Sequence, residues 1–266
     1  MSTDYQEIKG TYSPIPLAGK LALITGATGG IGKATAQLLA ARGVHLALHF
    51  RSSVSAAQEL AASLTKAHGV RARVYQCDLG DFDAVRTMHA TIVREMGEIE
   101  ILYNNAANEG TIMGIQGRIE DVSLEEMESC WRVNTGASFL LAQLTVPAMA
   151  RAGFGRVVFC TSVAAATGGV VGPHYAGSKS ALHGIMHWIA KNYARDGITC
   201  NAVSPALITN TKMFANATDE HRKLIPLQRF GQPEEVAQVV ELLLTNAYMT
   251  NKIIAVDGGM QPSAYA

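Results

Sequence analysis

"KLALITGATGGIGKATAQLLAARGVHLALHF", residues 20–50, is the stretch on which the reading of this chain turns. It opens with an apolar run of strand length, "KLALIT" (20–25), and closes with another, "VHLALHF" (44–50). Between them lies a helical pattern, about residues 30–42. Strand, helix, strand in so short a span is a βαβ unit, with parallel strands and a right-handed crossover. The turn out of the first strand, "TGATGGIG" (25–32), is rich in glycine. Gly26, Gly30 and Gly32 permit a tight turn and close approach of the backbone to a pyrophosphate. The following helix aims its N-terminus at that anion. Thr28 and Ile31 belong to the same candidate contact set. The three residues between Gly26 and Gly30 set this turn apart from the G-x-G-x-x-G form.

The alternation continues outward. "SAAQELAASLTKA" follows as a helix and "VRARVYQC" (70–77) as a strand. The next helix opens near Asp81, a residue type that caps helix N-termini. "IEILYN" (99–104), "GRVVFCTS" (155–162), "ITCNAVS" (198–204) and "IIAVDGG" (253–259) supply further strands. Helical stretches are expected at about 123–151, around Tyr175 and near 233–245. Near-continuous apolar strands separated by helices predict an α/β fold. It is a single-domain, Rossmann-type, doubly wound parallel sheet of about seven strands with helices on both faces. The expected domain covers 18–266, with a polar tail over 1–17 and a substrate loop at about 207–230. No composition break, repeat or low-complexity block divides it.

The 266 residues are 48% hydrophobic and 17% charged, with 22 basic and 22 acidic side chains, a balance typical of globular domains. Net neutrality gives no case for a nucleic-acid partner or a membrane surface. No apolar run reaches membrane-spanning length. The N-terminus lacks the apolar block of a secretory signal and carries Asp4 and Glu7, so a cytoplasmic location is expected. Cys77, Cys130, Cys160 and Cys200 form no C-x-x-C pair, and no metal site is expected. His183 and His187 are spaced i, i+4 but lack the central glutamate of a zinc-protease helix and a third ligand.

In such sheets ligands bind at the carboxyl ends of the strands, where strand order reverses. The second strand ends in "HFRSS". An acid there would bind ribose hydroxyls, but Phe50 stands in its place, followed by Arg51 and Ser52. An arginine pairs with a 2′-phosphate through a charge-assisted fork, so NADP(H) is expected over NAD(H). Asp78 and Leu79 follow the third strand. Asp78 can accept a hydrogen bond from an adenine amino group or cap a turn. Asn105 and Ala106, in "NNAA" (104–107), follow the fourth strand, where small residues let the chain pass close to the cofactor.

"GPHYAGSKSAL" (172–182) holds Tyr175 and, one helical turn on, Lys179. Residues i and i+4 share a helix face. An ammonium beside a phenol favours the phenolate, so the spacing predicts a lowered tyrosine pKa and a usable acid or base. The small residues Ala176, Gly177, Ser180, Ala181 and Gly184 allow close packing of that helix.

The ordered set "TGATGGIG", "CDL", "NNAA", "VNTGASF", "TSVAA", "YAGSK", "NAVSPALI" and "VDGG" resembles the short-chain dehydrogenase/reductase family over about residues 18–259. The overall pattern is closest to its 3-oxoacyl-thioester reductases. The resemblance implies nicotinamide chemistry, four catalytic residues (Asn134, Ser162, Tyr175 and Lys179) and a homo-oligomer, tetramer or dimer. Ser162 would hold a carbonyl oxygen and Tyr175 would protonate it. Lys179 would tune the phenol and bind the nicotinamide ribose, and Asn134 would hold a water connecting Lys179 to solvent. Asn134 could equally kink the 123–151 region, and Ser162 could cap a turn. After the sixth strand, Pro205, Ile208 and Thr211 are expected to cover the nicotinamide carboxamide. Thr211 is preferred over Thr209 and Asn210, and Ala206 replaces the family's usual glycine. Ile112, Met113, Val170, Val171, Met213 and Phe214 suggest an apolar or mixed carbonyl substrate. The expected function is an NADP(H)-dependent carbonyl reductase or alcohol dehydrogenase. A 3-oxoacyl-thioester reductase specifically, a non-catalytic NADP(H)-binding sensor and a Rossmann-like methyltransferase are the alternatives.

Overall fold

Strands and helices alternate as the apolar runs require. In the computed structural model, which describes residues 15–114, 116–214 and 217–262, the chain begins β1 (Leu21–Ile24), α1 (Gly30–Ala41), β2 (His45–Phe50), α2 (Val54–His68) and β3 (Ala72–Gln76). It continues α3 (Phe82–Met96), β4 (Ile101–Asn104), α4 (Leu124–Trp131), α5 (Ala137–Ala152), β5 (Gly155–Cys160) and α6 (Ala164–Thr167). It ends α7 (Pro173–Tyr193), β6 (Ile198–Pro205), α8 (Asp219–Lys223), α9 (Pro233–Thr245) and β7 (Ile253–Val256). Residues 1–14 of the expected polar tail lie outside the described residues.

The seven strands form one sheet in the order β3-β2-β1-β4-β5-β6-β7, and every pairing is parallel. The chain winds from β1 outward to β3, then returns to lay β4 on the other side of β1. The order reverses there, so a crevice opens beyond the carboxyl ends of β1 and β4.

Alternation along β1 shows how both faces are covered. Leu21 and Leu23 join a core with Val85, Met88 and Ile92 of α3, Leu141 of α5 and Met186 of α7. Ala22 and Ile24 face the other way, into a core with Leu39 of α1, Leu60 of α2 and Val240 of α9. Each buried leucine contributes roughly 1.5–3 kcal/mol, and this two-sided burial makes the period-2 pattern invisible in the strands.

Helix ends follow local chemistry. Asp81 caps α3, its carboxylate accepting from the Asp83 and Ala84 amides at 2.9 and 3.1 Å. Pro173 and Pro233 occupy the first turns of α7 and α9, where the missing N–H costs no bond. The expected continuous helix over 123–151 is instead α4 and α5 joined by a π turn, Arg132–Gly136. Inside it, Asn134 is buried and committed to hydrogen bonds outside its own helix. Most strands are also shorter than the apolar runs: β5 ends at Cys160, two residues before Ser162.

Candidate active site

The crevice is a cleft of about 360 Å³ at the carboxyl edge of the sheet. The turn after β1 lines it with Gly26, Thr28, Gly30, Ile31 and Gly32. The ends of β2 and β3 add Arg51, Ser52, Asp78 and Leu79, and the end of β4 adds Asn105 and Ala106. Ser162, Tyr175, Lys179, Pro205, Ile208 and Thr211 close the other end. Every residue expected to hold the cofactor therefore faces one space. Of the three candidates after β6, Thr211 lines the cleft. Thr209 is turned to Gln232, its hydroxyl 2.7 Å from the amide oxygen.

The glycine turn has the shape an anion needs. Gly26 has φ +65°, and a Cβ there would sit 3.0 Å from the Ala106 Cα. A Cβ on Gly30 would collide with the Asn210 carbonyl. α1 follows Gly29 at its N-cap, with no side-chain cap and no acidic residue in its first turn. Its positive end is thus left to a ligand in the cleft, which fits a dinucleotide's pyrophosphate. Thr25 holds the floor closed: its hydroxyl accepts from the Asn105 and Ala106 amides at 2.9 and 3.0 Å. Asp78 takes the turn-cap role, accepting from the Gly80 amide at 2.8 Å, while still facing the cleft.

Ser162 follows β5, and its hydroxyl accepts from the Ala164 amide at 3.2 Å. α7 places Tyr175 and Lys179 on one face, with Lys179 Nζ 5.7 Å from the Tyr175 ring centre. Both side chains are buried. The expected lowering of the Tyr175 pKa is not what the structure gives. Burial, first, pushes the phenol well above its ordinary value, and a hydrogen bond with Ser162 only partly opposes this. The Lys179 ammonium donates instead to the Cys160 carbonyl at 2.6 Å, and burial lowers its own pKa.

Asn134 does not line the cleft. It lies behind the wall, fully buried. Its Oδ1 accepts from the Asn108 amide at 2.7 Å, and its Nδ2 donates to the Asn108 carbonyl and to Ser178 Oγ, each at 2.9 Å. Asn108 itself lines the cleft, so Asn134 fixes a piece of its wall.

Two features of the site were not expected from the sequence. His49, near the end of β2, accepts from the Gly26 amide through Nδ1 at 3.0 Å and meets the Cys77 carbonyl through Nε2 at 3.0 Å. A histidine inside an apolar strand, beside the glycine turn, was the available signal. Burial lowers its pKa to about 4. The second feature is charge at the mouth. Of the apolar residues expected to form the substrate wall, Met213 lines the cleft. Val171 is buried against Tyr175, and the Met113 and Gly114 amides are tied to the Val171 and Val170 carbonyls. The Phe214 side chain lies outside the described residues. Glu109 and Lys212 line the mouth instead and pair across it at 2.9 Å.

Residues 26–261 match the family described as enoyl-(acyl carrier protein) reductase. The chain is 34% identical over 248 residues to the 3-oxoacyl-[acyl-carrier-protein] reductase of Synechocystis sp., covering 92% of this chain and 98% of that protein. A mutant Serratia marcescens short-chain dehydrogenase/reductase superposes with a TM-score of 0.83 at 30% identity, over 92% of this chain and 99% of that one. An NAD+-bound xylitol dehydrogenase also superposes with a TM-score of 0.83, at 27% identity, over 91% of this chain and 99% of its own. With the 3-2-1-4-5-6-7 sheet, the glycine turn and the Tyr175–Lys179 pair in one cleft, these likenesses establish that the chain belongs to the short-chain dehydrogenase/reductase family.

Proposed function

We propose that the protein is an NADP(H)-dependent oxidoreductase acting on a ketone or secondary alcohol. The observation that carries this reading is the continuity of the cleft. The uncapped α1 N-terminus and the Ser162, Tyr175 and Lys179 side chains open into the same space. The glycine turn and α1 would hold the pyrophosphate, and Arg51 with Ser52 would hold a 2′-phosphate. Pro205, Ile208 and Thr211 would cover the nicotinamide. The nicotinamide, when bound, supplies or takes up the hydride.

The chain's own residues handle the oxygen and its proton. Ser162 donates a hydrogen bond to the carbonyl oxygen. The Tyr175 phenol, kept protonated by burial, gives that oxygen its proton as the carbonyl is reduced. The buried Lys179 ammonium stabilises the phenolate that results and supports its reprotonation. Asn134 acts through Asn108, which it holds at the cleft wall.

The xylitol dehydrogenase binds NAD+, so the cofactor choice rests on this chain's own β2 end. Arg51 and the lack of an acid there support NADP(H). The likeness to a 3-oxoacyl-[acyl-carrier-protein] reductase favours a 3-oxoacyl thioester as the second, narrower reading. Phe139 on α5 and Trp188 on α7 are 50% and 61% exposed, which supports assembly as a homo-oligomer. The test is NADPH and NADH consumption by the purified protein against a carbonyl panel. The panel holds a 3-oxoacyl thioester, an aromatic polyketide-like ketone, a ketosteroid, a small diketone and a sugar ketone. Turnover with NADPH supports the reading. NADPH binding with silence across the panel would favour a non-catalytic binder.

A further inference from the structure

The loop after β4 places Glu109 at the inner edge of the mouth, with its side chain 19% exposed. Its backbone is fixed: the Glu109 carbonyl meets His174 Nε2 at 3.0 Å, and His174 is the fully buried neighbour of Tyr175. Four residues beyond His174 on α7 is Ser178, which anchors Asn134 and through it Asn108. The carboxylate is thus carried on a loop bolted to the Tyr175 helix. Its charge is felt at the phenol, where it adds to the upward push on the pKa.

Lys212 comes from the opposite lip, in the segment after β6, and its side chain is 83% exposed. An ion pair with so exposed a partner is weak and exchanges readily with water. The two partners are therefore unequal. Lys212 is a solvent-exposed partner, and Glu109 is a mostly buried acceptor on an anchored backbone at the cleft wall. A ketone entering between the lips would displace Lys212 and leave Glu109 without its cation. The loss is compensated if the ketone brings a hydrogen-bond donor, and it is not if the ketone brings a blocked oxygen or an anion.

We propose that Glu109 is the specificity-determining residue of the mouth, accepting a hydrogen bond from a hydroxyl or amine of the substrate in place of Lys212. The preferred substrates are ketones with a donor group on the portion nearest the mouth, and carboxylate-bearing ketones are rejected. This rests on the oxidoreductase reading above.

The test uses one ketone skeleton in four forms: free hydroxyl, its methyl ether, the amine and the carboxylate. Wild type, Glu109→Gln, Glu109→Leu and Lys212→Met are compared with NADPH. The expected wild-type result is a kcat/KM at least about tenfold higher for hydroxyl or amine than for methyl ether. Glu109→Leu should erase the preference and admit the carboxylate, while Lys212→Met should keep the preference. Glu109→Gln should keep part of the hydroxyl preference and lose that for the cationic amine, and unchanged NADPH affinity in all variants shows that the cleft has folded. Equal wild-type rates on hydroxyl and ether, or an undiminished preference in Glu109→Leu, overturns the inference while leaving the oxidoreductase standing. Wild-type silence on all four forms and on the wider panel, with NADPH bound, removes both.

Discussion

Tyr175 shows how burial decides the resting state of a phenol. The phenol is held well above its ordinary pKa because the cleft wall removes it from water. It therefore rests as an acid, suited to carbonyl reduction. In the proposed mechanism the base for oxidation is the phenolate, which is more populated as pH rises. The kcat/KM for alcohol oxidation should climb steadily from neutral into alkaline pH, while reduction stays level around neutrality. A flat oxidation profile over that range would count against Tyr175 as the base. Tyr175→Phe removes the proton donor and should cut turnover by roughly 10²- to 10⁴-fold. The NADPH dissociation constant, followed by fluorescence, should hardly move. Under the NADP(H) proposal, Arg51→Ala would delete a charged hydrogen bond to the 2′-phosphate, worth about 1.5–3 kcal/mol. NADPH affinity should drop by about ten- to a hundredfold, and NADH affinity should stay put. Equal losses for both cofactors would undo the NADP(H) proposal.

At the scale of elements, α1 and α3 make an instructive pair. α3 satisfies its first amides with the Asp81 carboxylate, whereas α1 has no such cap and opens into the cleft. Asp81→Ala should cost about 1 kcal/mol, a fall of a few degrees in Tm. Catalysis should be unaffected, because Asp81 is absent from the cleft wall. Gly30→Ala should act in the opposite way. Its methyl group would strike the Asn210 carbonyl and push the segment carrying Ile208 and Thr211 away from the cleft. Cofactor affinity should weaken sharply with little loss of secondary structure, as titration and circular dichroism would show. The π turn between α4 and α5 belongs to this scale too. It is where a long apolar periodicity was interrupted so that Asn134 reaches Asn108.

For the whole molecule, His49 links site and stability. Its ring joins the turn after β1 to the end of β3 across β2, and burial lowers its pKa from 6.5 to about 4. Between those values the unfolded chain takes up a proton that the native chain refuses. Stability is therefore full above the unfolded value and is lost as pH falls from 6.5 towards 4. At 1.36 kcal/mol per pKa unit the loss is on the order of 3 kcal/mol. Urea midpoints should fall between pH 7 and pH 4.5, and His49→Gln should reduce that fall. An unchanged pH dependence in the variant would show that His49 does not govern it.

What the sequence determined by itself was the alternation of strand and helix, hence the parallel sheet. It also determined the glycine turn at the end of β1 and the i, i+4 placement of Tyr175 and Lys179. These are properties of short segments, written in local periodicity and residue type. The tertiary structure decided what depends on where separate loops land. It left Thr211 on the cleft wall and turned Thr209 towards Gln232, through the path of the segment after β6. It reversed the expected shift of the Tyr175 pKa, because burial outweighs the hydrogen bond with Ser162, while the Lys179 ammonium is bonded to the Cys160 carbonyl. It put Asn134 behind the wall, and it set Glu109 against Lys212, 103 residues apart in the chain, across a mouth that no local pattern could announce.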